Sequence, residues 1–284
     1  ILEAGDTLVE NSESIVITLQ PQVAFTVMEH STGEVKALVG GRGDKVGNRT
    51  WNRATDTCRQ PGSTFKIIAC YSAALDAGGL TLASVQDDAP FTAGGKTFKN
   101  YDGNFFSWTT IREAITHSHN ITAVKTLNQI GTGLGYEYAL KFGFTTLSDN
   151  DRNLALALGG LTNGVTNLEL TAAYASIANS GVYIEPSFYT AVYDHDGTLI
   201  LDNTTQETHQ VVSAQTAWLL IDAMRDVMTS GTGKAAYFGG MDVAGKSGTT
   251  TANRDAVFAG FTPYYTCVIW GGNDDNSKQT SSQT

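Results

Sequence analysis

The sequence has little cysteine, little proline and little positive charge, and it has no long hydrophobic run. Its 284 residues carry 18 lysines and arginines against 28 aspartates and glutamates, a formal charge of −10. Without a block of basic residues, this balance argues against nucleic acid or an anionic membrane surface as the main partner. No apolar stretch approaches the ~18 residues that a membrane-spanning helix needs. The 41% apolar residues predict a globular chain of one large domain or at most two.

The three cysteines, Cys58, Cys70 and Cys267, have no CxxC spacing and are too few for a disulfide framework. One disulfide with a leftover thiol stays possible from the sequence. Because unpaired cysteine is among the most buried residue types, we expect three separate packed thiols.

Strand-forming segments lie at both ends of the chain. Residues 23–28 and 34–39 flank a turn at 31–33 and predict a hairpin. Three further strands are predicted at residues 243–249, 255–262 and 265–270. Since both chain ends are rich in strands, the economical arrangement is one antiparallel sheet that both ends build together.

Helices are predicted between these strands. Residues 63–77 are apolar nearly all round past Phe65, so we expect a buried helix there. Five further helices are predicted at about residues 110–116, 121–129, 136–142, 167–179 and 214–228. A small outer hairpin is predicted around Asp196-Gly197. The fold class is therefore α/β of the α+β kind, with a central antiparallel sheet of about five strands, flanking helices and a mainly helical subregion.

The same patterns divide the chain into three parts. Residues 1–20 are mixed and polar and predict a linker segment, whereas residues 21–275 hold all the predicted helices and strands and form one domain. The polar residues after Asn273 predict a frayed end, with residues 276–284 as a polar tail.

Ser63 and Lys66 form an S-x-x-K pair at the start of the predicted buried helix. Residues three apart on a helix lie on one face, about 5–6 Å apart at Cβ. A serine hydroxyl becomes a good nucleophile when a nearby base takes its proton, and a neutral lysine can be that base. A helix-capping serine followed by a first-turn lysine gives the same pattern, so the pair alone is a weak signal.

Ser118 and Asn120 form a second candidate, in the sequence S-H-N between two predicted helices. The hydroxyl can relay a proton, and the amide can hold a substrate amide and a lysine. Ser148-Asp149-Asn150 offers a similar pattern, but it lies in a polar run that predicts an exposed turn, so Ser118 is preferred. His117 and His119 invite a metal site; no third ligand is evident and we expect the two rings to point apart, so no metal is predicted.

Lys246, Ser247, Gly248 and Thr249 form the third candidate, on a predicted strand. We expect the lysine and the two hydroxyls to line one face, with the glycine keeping that face open to substrate. Such a strip would bind a carboxylate. The segment from Gly240 onward also completes a literal phosphate-loop pattern, but that loop needs a helix directly after it, and the following residues lead into a strand.

Taken in order, the three motifs resemble those of the serine acyl-transferases that react with penicillin. Their flanking residues are similar to the transpeptidase domain of class A, bifunctional penicillin-binding proteins. The matching segments are Asn52-Arg53-Ala54-Thr55, Arg59-Gln60-Pro61-Gly62-Ser63-Thr64-Phe65-Lys66, Leu158-Gly159-Gly160, Ala173-Tyr174-Ala175, Gly231-Thr232-Gly233 and Gly245-Lys246-Ser247-Gly248-Thr249-Thr250. The resemblance covers residues 20–275 and implies the fold shared by penicillin-binding transpeptidases and serine β-lactamases.

The resemblance implies a D,D-transpeptidase mechanism. Ser63 would attack the carbonyl between the two terminal D-alanines of a peptidoglycan stem peptide, and an amine from a neighbouring stem would resolve the ester into a crosslink. Lys66 would act as the base, and Ser118 would pass the proton to the leaving amine. A β-lactam would acylate Ser63 in place of the donor peptide.

The resemblance also assigns the substrate-binding residues. Lys246 would stay charged and hold the substrate carboxylate with Ser247 and Thr249, while Asn120 would orient the donor amide. The backbone N–H groups of Ser63 and Thr249 would form the oxyanion hole.

The partners implied are stem peptides ending in D-Ala-D-Ala and β-lactam antibiotics, with no cofactor, no metal and no nucleic acid. The family's glycosyltransferase domain and membrane anchor have no counterpart in these residues, so we expect both in the full-length protein. The implied location is the outer face of the bacterial plasma membrane. The chain departs from the family at Ser247, where threonine is common, and at Gly271-Gly272-Asn273, where bulkier residues are usual.

Three rival functions remain open. A β-lactamase or a D,D-carboxypeptidase would use water as the acyl acceptor, although no Glu-x-x-Leu-Asn segment of the class A β-lactamase type is present. A non-catalytic binding or sensory module would keep the fold, but the intact motifs argue against it. A nucleotide-binding protein would use the phosphate-loop pattern and require magnesium.

Overall fold

A five-stranded antiparallel sheet lies at the centre of the computed structural model, which describes residues 20–45 and 47–279. In order across the sheet, its strands are β11 (Ala244–Thr249), β12 (Asp255–Phe261), β13 (Tyr265–Gly272), β1 (Gln22–Glu29) and β2 (Glu34–Val39). The first and last of these strands in the chain pair along their full length, with Gln22 opposite Gly272 and Glu29 opposite Tyr265. The prediction of one sheet built from both chain ends is confirmed.

The helices lie between the two strand-rich ends of the chain, as predicted. They are α1 (Ser72–Asp76), α2 (Ile111–His117), α3 (Asn120–Ile130), α4 (Thr132–Lys141), α5 (Asn167–Ala178) and α6 (Ala214–Thr229). Short 3₁₀ helices span Gly62–Thr64, Asp149–Asp151, Leu154–Leu158, Lys234–Ala236 and Thr251–Asn253.

Four small two-stranded sheets lie outside the central sheet. They join β3 (Val85–Asp88) to β6 (Ser107–Thr110), β4 (Phe91–Ala93) to β5 (Lys96–Phe98), β7 (Val182–Ile184) to β10 (Thr208–Gln210), and β8 (Ala191–Tyr193) to β9 (Leu199–Asp202). The outer hairpin of β8 and β9 was predicted. The other three pairs were missed, because strands of three or four residues are too short to show an alternating pattern.

The segment predicted as one helix over residues 63–77 is composite. A 3₁₀ turn at Gly62–Thr64 leads into a π-helix at Lys66–Tyr71 and then into α1. The backbone N–H and the hydroxyl of Ser72 both donate to the Ile67 carbonyl, which satisfies the widened turn. The predicted burial is confirmed, since residues 65–74 are buried throughout, and π turns of this kind are frequent at functional sites.

Helix α4 begins four residues before the predicted start at residue 136. The segment Thr132-Gly133-Leu134-Gly135 contains two glycines, which lower helix propensity and hide the start in the sequence. Gly135 is required by packing, because a Cβ there would lie 2.5 Å from the Ala69 carbonyl oxygen.

Helix α5 packs on the sheet through a buried polar contact. Thr26 of β1 donates to the Asn167 side chain at 2.7 Å, and the Asn167 amide donates to the Val268 carbonyl at 3.0 Å. Both groups are buried, so each hydrogen bond spares a polar group from being buried unpaired. The contact fixes the helical region against the middle of the sheet.

The prediction of a frayed end after Asn273 is wrong for residues up to Gln279. The Gln279 side chain is 3% exposed and donates to the Arg254 and Gly271 carbonyls, both at 3.0 Å. Polar composition concealed this contact, because an amide side chain can pair with free backbone carbonyls. Residues 280–284, and residues 1–19 of the predicted linker, lie outside the described residues.

Candidate active site

Ser63 lies on the 3₁₀ turn at Gly62–Thr64, where the backbone is held by close contacts on two sides. Gly62 has φ +55°, and a Cβ there would lie 3.0 Å from the Thr249 carbonyl oxygen and 3.2 Å from its nitrogen. From the other side Gly159, with φ +70°, approaches so closely that a Cβ would lie 2.4 Å from the Gly62 carbonyl oxygen. Strand β11 and the Leu154–Leu158 helix therefore clamp the turn that carries Ser63.

Ser118 is presented by a sharp break between α2 and α3. It adopts the left-handed conformation (φ 60°, ψ 39°) and ends α2, and Asn120 then begins α3. Asn100 fixes the start of α3, because its side-chain oxygen accepts from the Asn120 and Ile121 backbone N–H groups at 2.7 and 3.2 Å. The prediction that Ser118 lies between two helices is confirmed.

Lys66 of the π-helix and Lys246 of β11 both contact Ser118. The Lys246 ammonium nitrogen lies 2.8 Å from Ser118 Oγ, and that of Lys66 lies 3.2 Å from the same atom. Lys66 Nζ also donates to the Ser118 carbonyl oxygen and to Asn120 Oδ1, both at 2.6 Å. Both lysines are fully buried, so one hydroxyl links two amines in a medium shielded from water.

Burial lowers the pKa of both lysines, and repulsion from Lys246 lowers the pKa of Lys66 further. Desolvation, followed by the charge of Lys246, holds the pKa of Lys66 well below its usual value. Desolvation lowers the pKa of Lys246 to about 7. A neutral Lys66 has two N–H donors for the two carbonyl oxygens and keeps a lone pair for a hydroxyl proton.

The Ser63 hydroxyl stands apart from these hydrogen bonds. Ser63 is half-buried, and the three hydrogen-bond partners of Lys66 Nζ are on Ser118 and Asn120 rather than on Ser63. The structure thus brings Lys66, Ser118, Asn120 and Lys246 together directly, with Ser63 one turn before Lys66 on the same element.

The prediction that Lys246, Ser247 and Thr249 line one face of their strand is wrong. Lys246 and Gly248 are buried, Ser247 is half-buried and Thr249 is exposed, because successive side chains on a strand point to opposite faces. Gly248 faces the turn that carries Ser63, and a Cβ there would lie 2.6 Å from the Pro61 carbonyl oxygen. The glycine allows close approach of the two backbones.

Thr232 is a site residue that the sequence reasoning did not single out. Its hydroxyl lies 2.7 Å from Ser247 Oγ, so it can orient that hydroxyl. The only signal was its place in Gly231-Thr232-Gly233, one of the segments that resemble the transpeptidase family. Tyr174, in another such segment, donates from its hydroxyl to the Thr64 carbonyl at 2.8 Å and supports the turn that carries Ser63.

The rival motifs do not form sites of their own. Ser148 caps the short helix at Asp149–Asp151, where its hydroxyl accepts from the Asn150 N–H. The phosphate-loop pattern ending at Ser247 runs into strand β11 and then into a three-residue 3₁₀ helix and β12, so it has no helix N-terminus for phosphate.

The two histidines of the second motif lie closer together than predicted. Their ring centroids are 5.9 Å apart, because the left-handed Ser118 interrupts the helix on which the rings would have diverged. Within residues 20–45 and 47–279, no group of three or more histidine, cysteine, aspartate or glutamate side chains is arranged to hold a metal ion. The three cysteines are unpaired, as predicted.

Comparison with known proteins decides the family. The model of the penicillin binding protein transpeptidase domain matches residues 23–282. The chain belongs to this family. Penicillin-binding protein 1A of Clostridium botulinum is 36% identical over 273 residues, covering 91% of the chain and 32% of that protein. Penicillin-binding protein 1F of Bacillus subtilis is 39% identical over 253 residues, covering 87% of the chain and 34% of that protein.

Solved structures agree with this assignment. The PonA1 protein from Mycobacterium tuberculosis in complex with penicillin V has a TM-score of 0.82 at 25% identity, over 93% of this chain and 73% of that one. Penicillin-binding protein 1A from Haemophilus influenzae has a TM-score of 0.79 at 26% identity, over 90% of this chain and 44% of that one. The predicted fold and the resemblance to class A penicillin-binding proteins are confirmed.

The penicillin-binding relatives are longer than this chain. The chain spans about a third of the length of the first two proteins named above. Among the described residues, no helix is both long enough and apolar enough to cross a bilayer.

Proposed function

We propose that this penicillin-binding domain is a D,D-transpeptidase that crosslinks peptidoglycan stem peptides through an ester on Ser63, and that β-lactams acylate and inhibit it. The observation that carries the proposal is the buried Lys66–Ser118–Lys246 cluster next to the Ser63 turn. A structural lysine pair would not be placed with both amines on one hydroxyl, since two buried cations repel each other.

Acylation requires removal of the Ser63 proton, and Lys66 is the base. An unperturbed lysine would cost about 4.6 kcal/mol to deprotonate at pH 7. Burial and the charge of Lys246 remove much of this cost by lowering the pKa of Lys66. Ser63 Oγ then attacks the donor carbonyl, and the Ser118 hydroxyl passes a proton to the leaving D-alanine amine.

The donor peptide is held at both ends of the scissile bond. Lys246 supplies positive charge for the terminal carboxylate. Its side chain leaves β11 on the opposite face from Ser247 and Thr249, but its Nζ lies 3.0 Å from the Ser247 carbonyl oxygen, and the two hydroxyl groups complete the site. Asn120 orients the donor amide while its oxygen also accepts from Lys66. Serine at 247 keeps the hydroxyl of the usual threonine, and its contact with Thr232 holds that hydroxyl in place.

The oxyanion is stabilised by the backbone N–H groups of Ser63 and Thr249. Both lie on backbones that the glycines at 62 and 248 bring into close contact. Each donor of this kind is worth roughly 3–4 kcal/mol in the transition state. An amine from a neighbouring stem peptide then displaces Ser63 and completes the crosslink.

The longer relatives indicate the setting in which this domain works. We infer that the full-length protein also carries a glycosyltransferase domain and a membrane anchor, and that the transpeptidase acts on the outer face of the bacterial plasma membrane. The complex of PonA1 with penicillin V supports β-lactam binding by this chain.

The lifetime of the penicilloyl-enzyme tests this function. We expect intact-mass spectrometry to show one penicilloyl group per chain after benzylpenicillin treatment, and the group should persist for hours after the free drug is removed. Loss of the adduct within seconds would instead indicate a β-lactamase. Complete absence of an adduct would favour a non-catalytic module.

A further inference from the structure

A cavity of about 350 Å³ is lined by Ser118 and includes none of the residues assigned above to the donor carboxylate or the oxyanion hole. Besides Ser118, its lining includes Asp102, Glu113, Phe106 and His119. It is distinct from a larger groove of about 460 Å³ that runs past Gly62, Gly159 and Thr250. The site therefore has two approaches, and only one of them includes Ser118.

Two carboxylates, those of Asp102 and Glu113, line the cavity. Asn104 donates to both oxygens of Asp102, from its backbone at 3.0 Å and from its side chain at 2.9 Å, and these bonds lower the pKa of Asp102. Glu113 reaches the cavity from the first turn of α2. His117 also lines this cavity, and among the described residues no lysine or arginine does, so its two carboxylates suit a cation.

His119 adds a buried polar group that lacks a partner. Its side chain is only 6% exposed, and its ring stacks on Phe106 with centroids 4.3 Å apart. Its Nδ1 lies 3.5 Å from the buried Asp88 carboxylate, without a hydrogen bond to any described residue. The Asp88 carboxylate favours the tautomer that has its proton on Nδ1. In that tautomer Nε2, on the other side of the ring, is the acceptor that a ligand in the cavity could use.

Burial keeps this histidine neutral. Desolvation, followed by repulsion from His117, lowers the pKa of His119 to about 4. At neutral pH the ring therefore does not repel a cation in the cavity, and its free nitrogen can accept a hydrogen bond from one.

We propose that this cavity binds the acceptor amine as a primary ammonium, held by Glu113 and Asp102 and oriented by His119. The proposal rests on the proposed transpeptidase function. If Ser118 gives a proton to the departing amine during acylation, the incoming amine occupies the same position beside Ser118 during deacylation, by microscopic reversibility. Two carboxylates favour an acceptor whose amine has no carboxylate on the same carbon.

Aminolysis of the Ser63 ester releases one proton overall. One proton of the bound ammonium leaves to solvent, and the free amine forms a bond to the acyl carbon as the bond from that carbon to Ser63 Oγ breaks. A second proton leaves the nitrogen through Ser118 and Lys66 and returns to Ser63 Oγ. The products are an amide, a free serine and one released proton.

The test measures how the acyl-enzyme is partitioned between amine and water. A D-alanyl thioester serves as donor, and the acceptors are monoacetyl diaminopimelic acid and the same molecule amidated beside its free amine. For the native chain the amidated acceptor should give the higher ratio of aminolysis to hydrolysis. Glu113→Gln and Asp102→Asn should each lower that ratio roughly three- to fivefold, as expected for loss of one partly exposed ion pair.

A matched control and a second variant keep the test decisive. Glu137→Gln removes an exposed carboxylate from α4, outside the cavity lining, and should leave the ratio unchanged. His119→Phe keeps an aromatic ring against Phe106 but removes Nε2, and should lower the ratio. Unchanged ratios in all three cavity variants, with the acyl-enzyme still forming, would overturn the cavity proposal and leave the transpeptidase function standing. Failure to form any acyl-enzyme would overturn both.

Discussion

Ser63→Ala is expected to abolish covalent labelling by a fluorescent penicillin, because the other hydroxyl on the clamped turn, that of Thr64, is buried and donates to the Pro61 carbonyl at 2.7 Å. The variant should fold normally. Ser63 is half-buried and outside the hydrogen bonds of the lysine cluster, so we expect the free energy of unfolding to change by no more than about 0.5 kcal/mol.

The matched control for this variant is Ser148→Ala, which alters the rival S-D-N sequence. It should label like the native chain, since Ser148 only caps a short helix. Labelling that survives in Ser63→Ala would place the nucleophile elsewhere. Loss of labelling together with a large drop in melting temperature would assign Ser63 a structural role instead.

Lys66→Met should lower the rate of acylation by penicillin by about 10²–10⁴, the usual contribution of a general base. Methionine keeps much of the volume but has no lone pair to accept the Ser63 proton. Non-covalent binding of the antibiotic should be largely retained, since Lys246 and the hydroxyls of β11 are unchanged. Stopped-flow labelling over a range of drug concentrations separates the two quantities.

Lys66→Met should also be less stable to unfolding than the native chain. The Ser118 carbonyl and Asn120 Oδ1 lose their donor, and each unpaired buried acceptor costs about 1–3 kcal/mol. Lys66→Arg provides a second variant, because arginine keeps a cation and donors but cannot lose its proton. Near-native acylation by Lys66→Arg would show that the position supplies charge and not a base.

Sequence patterns predicted the framework because its signals are local and long. The turn at 31–33 and the apolar segment past Phe65 each depend on a few neighbouring residues, and each appears in the structure. Short strand pairs and the π turn escaped prediction. Their conformations depend on contacts with distant elements, such as the approach of Gly135 in α4 to the carbonyl oxygen of Ala69 in the π turn.

The candidate site was also predicted only in part. Motif order indicated Ser118 and Lys246, although they are 128 residues apart and no spacing rule joins them. The direction of side chains on β11 was predicted wrongly, and Thr232 was not predicted as a partner of Ser247. The cavity proposed for the acceptor amine was not predicted either, because Asp102, Glu113 and His119 line it from a loop, from α2 and from the N-cap of α3.

The central claim is that Lys66 is an uncharged amine at neutral pH, and an NMR titration of its side-chain nitrogen measures this directly. Lysine labelled with ¹⁵N gives one Nζ signal per residue, and the signal missing from Lys66→Arg identifies Lys66. We predict that this signal titrates far below the ordinary lysine range. The Lys246 signal should titrate at about pH 7. A Lys66 that stays protonated up to about pH 10, the range of an unperturbed lysine, would contradict the account.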